Sequence, residues 1–299
     1  MPVLFASSNV VVMRRFSFCL LLVFSIGRPA YSAEPAIQRD LSYAKINGVD
    51  LKLDFYPSQA DGVSPLIVWV HGGAWRAGDK RNVPIKRLTG QGFSIATLNY
   101  RLSGTARFPA QTEDIKAGIR FLRAHAARFE IDPDRIVIAG ASAGGHLAAL
   151  VGVSDGVQTV ENLAMGNAEI SSHVSAIVSL YGASNLLTIL SQSTPHGLSD
   201  REPALKLLLG DLPTGAPEAA RLASPVQHVD PSDPPLLLIH GDQDPQMPIN
   251  QSHELEGAYQ RAGLDVTFHV LHGAAHGGNA FYDDQHLKLI ADWIRSRLD

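Results

Sequence analysis

Cysteine is almost missing from this chain: Cys19 is the single one in 299 residues. One thiol closes no intramolecular disulfide, and a chain of this length buries enough apolar surface to fold without covalent staples. The N-terminal apolar run, Phe16 to Ile26, lacks the length of a membrane span, since it covers about 11 residues where a spanning helix needs about 20. A Lys/Arg-rich tract is absent too, which removes the electrostatic footprint of a nucleic-acid binder. No internal repeat, low-complexity tract or interdomain linker interrupts the sequence. What remains is a globular chain with 45% hydrophobic residues, 26 Gly and 18 Pro, a composition of many turns rather than of a helical bundle, and one large α/β domain is expected.

The first 33 residues read as an export signal. Arg14 and Arg15 precede the apolar run, and the small residues Ala30, Ser32 and Ala33 follow it, which is the order of a cleaved secretory peptide. Cleavage is expected after Ser32 or Ala33, leaving residues 34–299 as the mature, exported protein, periplasmic or extracellular. Met13 stands just before the two arginines, so translation from it would give a more typical signal and make residues 1–12 a start-site artefact. Cys19 sits inside the run and not ahead of the mature start, so no lipid anchor is expected through it. Without the signal the chain holds 22 basic against 29 acidic residues, a net charge of about −7.

Short runs rich in Val, Ile, Leu and Phe alternate with longer segments of helical period, the pattern of parallel strands joined by helical crossovers. Strands are expected at residues 41–46, 51–56, 66–70, 93–98, 135–139, 176–180, 236–239 and 266–271, about eight in all. Residues 66–70 and 236–239 are apolar without alternation, as central strands covered on both faces would be. Helices are expected at 109–129, 143–153, 250–262 and 280–298, the first with Ile115, Ile119, Leu122 and Phe129 along one stripe. Residues 183–233 break the rhythm and read as a short insertion over the site, with one short helix at 204–209.

Gly140-Ala141-Ser142-Ala143-Gly144 is a GxSxG pentapeptide directly after one expected strand and directly before an expected helix. This context is that of a nucleophile elbow, in which the serine sits on a strained turn and glycines admit close backbone approach. His71-Gly72-Gly73-Ala74-Trp75 follows the apolar strand at 66–70. Amides freed there, with the amide of Ala143 after the serine, would form an oxyanion hole, and Gly73 and Ala74 are its expected donors beside Ala143. Trp75 is expected to line the substrate pocket. His71 is read as a residue that fixes its loop.

With these two motifs in this order, the chain resembles the hormone-sensitive-lipase-like and bacterial feruloyl-esterase-like (BD-FAE-like) branch of the α/β-hydrolases, with arylformamidases in the same neighbourhood. HGGAWRAGDK at 71–80, NYRLS at 99–103, IDPDRIVIAGASAGGHLAAL at 131–150, ASP at 223–225 and PPLLLIHGDQDPQMP at 234–248 carry the likeness over nearly the whole mature chain. The resemblance implies an α/β-hydrolase fold, a mostly parallel sheet of about eight strands flanked by helices. It places the acid of a catalytic triad in a pattern like HGxxDxxVP, hence at Asp244, with Asp242 as its rival in the same loop and Met247 in place of the usual valine. It places the base in a pattern like GAxHG, hence at His276, with His272 as the competitor and His146 as a packed structural residue. The third position of the frequent HGGG pattern is Ala74 here, which leaves open which of Gly72, Gly73 and Ala74 donate.

The reaction so implied is acyl transfer on a carboxylic ester, with no cofactor and no metal, since His269, His272 and His276 do not converge at their spacings. The expected substrate is a small-molecule or polysaccharide-linked ester with a short or aromatic acyl group. Alternatives are amide hydrolysis, arylformamidase-like, on the same scaffold, and a non-catalytic binding protein. Long-chain lipase action fits less well with so short an insertion.

Overall fold

The computed structural model describes residues 1–6, 8 and 36–298. The arginines, apolar run and cleavage positions of the expected export signal lie outside the described residues, as does Cys19. The chain divides into two units, Met1–Ala33 and Glu34–Asp299, and every element named below belongs to the second.

Eight strands form one sheet in the order β1-β2-β4-β3-β5-β6-β7-β8. They are β1 (Gln38–Ile46), β2 (Val49–Tyr56), β3 (Ser64–Val70), β4 (Ser94–Leu98), β5 (Ile131–Ala141), β6 (Ala176–Leu180), β7 (Leu236–Gly241) and β8 (Val266–Leu271). β1 and β2 pair antiparallel, β2 meets β4 antiparallel, and all pairings from β4 through β8 are parallel. The helices are α1 (Ala110–Ala124), α2 (Ala126–Phe129), α3 (Ala143–Gly152), α4 (Ile189–Gln192), α5 (Pro195–Leu209), α6 (Pro217–Leu222), α7 (Asn250–Ala262) and α8 (Asp284–Leu298).

Strand side chains alternate between two cores, as the pleat dictates. Leu66, Val68, Val70, Ile136 and Ile138 face one core with Ile115 and Ile119 of α1, Leu147 of α3 and Leu255 of α7. Ile67, Trp69, Val137 and Ala139 face the other with Leu287, Ile290 and Ile294 of α8. The sheet is thus covered on both sides, which is why its central strands are apolar without interruption. Among the described residues no helix is long and apolar enough to cross a membrane.

Three expected helices need correction. The segment at 109–129 is two helices, because His125 leaves helical geometry with φ −111° and ψ 23°. The segment at 280–298 is a 3-10 turn, Asn279–Tyr282, followed by α8. Asp283 between them is extended, with φ −68° and ψ 173°, and its Oδ1 accepts the amide of His286 at 2.9 Å, an N-cap that starts α8. The insertion holds three helices, not one. Thr194 caps α5 by accepting from the Gly197 amide, with Pro195 in the first turn, a start signal obscured by Pro203 inside the same helix.

The loop after β3 is anchored by charge. Lys80, 5% exposed, places Nζ 2.6 Å from Asp54 Oδ1 and 2.9 Å from Asp40. Its amide donates to Asn99 Oδ1 at 2.7 Å, and its carbonyl accepts from the Thr97 hydroxyl. At the other end of the loop, the Tyr100 hydroxyl donates to the His71 carbonyl at 3.1 Å and the two rings stack with centroids 4.4 Å apart. Lys80→Met would leave the fully buried Asp54 with only Arg39, 3.1 Å away and half exposed, as counter-charge. Breaking a buried pair costs about 3–5 kcal/mol, and with Arg39 retained a loss of about 3 kcal/mol is expected, read as a lower urea midpoint; an unchanged midpoint would show that the anchor contributes nothing.

Candidate active site

The site lies where β3, β5, β7 and β8 end. At the tip of β5 the chain turns sharply into α3, and Ser142 occupies the turn with φ 56° and ψ −121°, a conformation that costs energy for a residue with a Cβ. Backbone contact imposes it. A Cβ at Gly144 would stand 2.1 Å from the Val70 carbonyl oxygen, and one at Gly140 would stand 2.3 Å from that of Gly144, so only glycines let α3 start against β3. The Ser142 amide is held by the Leu180 carbonyl at 2.9 Å.

The structure brings Ser142, His276 and Asp244 together. The Ser142 hydroxyl lies 2.8 Å from His276 Nε2, and His276 Nδ1 lies 2.6 Å from Asp244 Oδ2. The hydroxyl therefore donates to Nε2 while Nδ1–H donates to the carboxylate. Asp244 Oδ1 accepts the amides of Gln246 and Met247, each at 2.8 Å. A fourth donor is buried His240, which opens the HGxxDxxVP-like pattern but was given no role from it: its Nε2 sits 3.3 Å from Asp244 Oδ2 and 3.1 Å from the Met247 carbonyl, while its Nδ1 accepts from the Ser252 hydroxyl at 2.7 Å. Burial pushes the Asp244 carboxyl upward, but the hydrogen bonds from His240, His276 and the Met247 amide outweigh it and hold it well below the ordinary carboxylate range.

The rival residues pair with each other. Asp242 Oδ2 lies 2.8 Å from His272 Nδ1 and Asp242 Oδ1 accepts the Gly273 amide at 2.7 Å, with the His272 side chain 85% exposed. Neither touches Ser142. His146 is fully buried, with Nε2 2.7 Å from the Ala223 carbonyl and Nδ1 accepting the Trp75 indole N–H at 3.0 Å. Burial lowers its imidazole to about 4. His71, also buried, points Nδ1 at the Gly72 carbonyl at 2.8 Å, and burial lowers its imidazole too. Among the described residues no group of three or more His, Cys, Asp or Glu side chains could hold a metal ion.

The expected oxyanion donors stand at the mouth of this arrangement. Gly73 has φ 115°, and Ala74 and Trp75 are left-handed at 52° and 59°, which explains why glycine is common at the position Ala74 fills. The amides of Gly73 and Ala74 meet no acceptor among the described residues. The amide of Ala143 opens α3, where no intrahelical acceptor exists. A Cβ at Gly72 would stand 2.8 Å from the Ala141 carbonyl oxygen, so the loop leans directly on the elbow. Trp75 lines the cleft but is 1% exposed and tied to His146, so it forms a fixed wall more than a free contact.

The cleft, about 620 Å³, is lined by Ser142, His276, Gly73, Ala74 and Ala143 together with side chains that sequence reasoning missed: Tyr181, Tyr282, Arg201 and Gln246. Tyr181, at the end of β6 with φ 40°, sets its ring against His276 with centroids 4.8 Å apart, and its hydroxyl meets that of Tyr282 at 2.8 Å. No motif marks them; they follow from where β6 and the turn before α8 end.

Comparison with known proteins places this geometry in a lineage. A structure of a truncated carbohydrate esterase from gut microbiota is 30% identical, covers 90% of this chain and 99% of its own, and superposes with a TM-score of 0.79. Esterase 2 of Thermogutta terrifontis with propionate bound is 28% identical, over 88% of this chain and 95% of its own, with a TM-score of 0.70, and the same esterase has been captured phosphonylated by sarin. Esterase LipC of Mycobacterium tuberculosis is 32% identical over 219 residues, 72% of this chain and 53% of its own. The chain spans about half the length of the curated relatives it matches. The BD-FAE family model matches residues 53–259, from β2 to α7 and across the elbow, the loop after β3 and Asp244, and the chain accordingly belongs to the BD-FAE family of α/β-hydrolases.

Proposed function

We propose that this protein is a serine-dependent carboxylic ester hydrolase that acts on short-chain or aromatic esters through an acyl-enzyme. The observation that carries the reading is the unbroken line from the Ser142 hydroxyl through His276 to Asp244, at 2.8 and 2.6 Å, beside amides without an acceptor. His276 takes the proton as Ser142 attacks the ester carbonyl, and Asp244 stabilises the imidazolium. The amides of Ala143, Gly73 and Ala74 receive the charge that develops on the carbonyl oxygen, a contribution worth on the order of 100-fold or more per donor. His276 then protonates the leaving alcohol, and water attacks the acyl group by the same route.

The neighbours support the substrate class. Esterase 2 binds propionate in one structure and butyrate in another, which fits a short acyl group, and its phosphonylation by sarin fits an activated nucleophile at the equivalent of Ser142. The carbohydrate esterase likeness supports an ester on a saccharide as the natural target. Export with cleavage after Ser32 or Ala33 belongs to the same proposal.

The purified protein is expected to hydrolyse p-nitrophenyl acetate or butyrate, or methyl ferulate, and to be labelled by a fluorophosphonate probe. Ser142→Ala should abolish labelling and lower kcat by roughly four orders of magnitude or more; a folded wild type that turns over none of these esters sinks the proposal. Asp244→Asn should lower kcat by roughly 10³- to 10⁴-fold. The same variant should also change acid stability. Because folding depresses the Asp244 pKa from 3.8, the carboxylate stabilises the fold above its unfolded value, and that contribution is lost as pH falls through about 4 toward the folded value. Denaturation midpoints from about pH 5 to pH 2 should therefore fall less steeply in Asp244→Asn than in the wild type, and parallel slopes would contradict the assignment.

A further inference from the structure

Arg201, in the second turn of α5, is a buried cation with nothing to bind. It is 8% exposed, lines the same cleft as Ser142 and His276, and among the described residues its side chain makes no hydrogen bond or ion pair. Its Nε is wholly buried without an acceptor. Burial lowers the guanidinium to about 10, so it stays charged at neutral pH. Asp200, beside it in the chain and also lining the cleft, and Asp244 act on it through space, but neither pairs with it. α5 is fixed over the acid loop by the Thr194 hydroxyl, which donates to the Pro245 carbonyl at 2.9 Å, so the helix that carries Arg201 is held beside the cleft.

Buried guanidinium groups are ordinarily matched by carboxylates or several carbonyls, because an uncompensated charge in a protein interior is costly. Arg201 is placed where the missing acceptor would enter with the substrate. We propose that Arg201 anchors a carboxylate carried by the substrate, so that the preferred ester has an acidic group on either its acyl or its alcohol part; this rests on the ester-hydrolase reading above. The fork of N–H donors suits a planar carboxylate, and removal of water from the cleft strengthens the pairing.

Two matched pairs of esters test it. 4-Nitrophenyl hemisuccinate against 4-nitrophenyl levulinate varies charge on the acyl side, and 4-acetoxybenzoate against 4-acetoxybenzamide varies it on the alcohol side. The wild type should prefer the acidic member of at least one pair in kcat/KM, and Arg201→Gln should reduce that preference about 10-fold or more, chiefly through KM. Arg201→Lys should restore part of it. If Arg201 serves only to balance Asp244, both members of each pair fall together and the ratio does not move, which overturns the proposal. Wild-type turnover of the neutral esters with no acidic preference in either pair also overturns it, and needs no variant to fold, whereas no turnover of any ester overturns the ester-hydrolase reading itself.

Discussion

Close backbone contact between the first turn of α3 and the end of β3 governs the site. A methyl group at Gly144 would overlap the Val70 carbonyl oxygen at 2.1 Å, so the helix begins nearer the sheet than any side chain allows. That approach leaves Ser142 no ordinary conformation and turns its hydroxyl out at the sheet's edge, toward the loops that follow β7 and β8. It also sets the Ala143 amide beside the loop after β3, which rests through Gly72 on the Ala141 carbonyl. Position here comes from main chain against main chain, which has few soft degrees of freedom to lose.

Around that frame, each polar group is held by its own partners. Asp244 has its carboxylate filled by two amides and two imidazoles, so it holds negative charge where a lone buried acid would take up a proton. His146 and His71 are held neutral by burial and are occupied by local partners. His276 is the imidazole that reaches the serine, although the chain carries 12 histidines.

The sequence was most readable where chemistry and folding demand the same residues. Gly140 and Gly144 flank Ser142 for a steric reason, the apolar run at 66–70 is buried on both faces, and all eight expected strands form. Asp244 and His276 were legible through resemblance, since nothing in an isolated aspartate or histidine tells it from Asp242 or His272; the separation of those pairs is decided by the paths of two loops. Illegible altogether were residues whose roles arise from contacts distant in sequence. Tyr181 meets His276 from the end of β6, and Arg201 reaches the cleft from α5, whose start at Thr194 and Pro195 was hidden behind the helix-breaking look of Pro203.

The Trp75 indole, His146 and the Ala223 carbonyl form a continuous chain of hydrogen bonds between the loop after β3, the helix behind the nucleophile and the end of α6. The end of α6 and the Trp75 wall of the cleft are therefore stitched to a common post, His146. A side chain at 146 that could not accept on one side and donate on the other would therefore release the indole and the carbonyl together, and with them the relation of the loop after β3 to the end of α6.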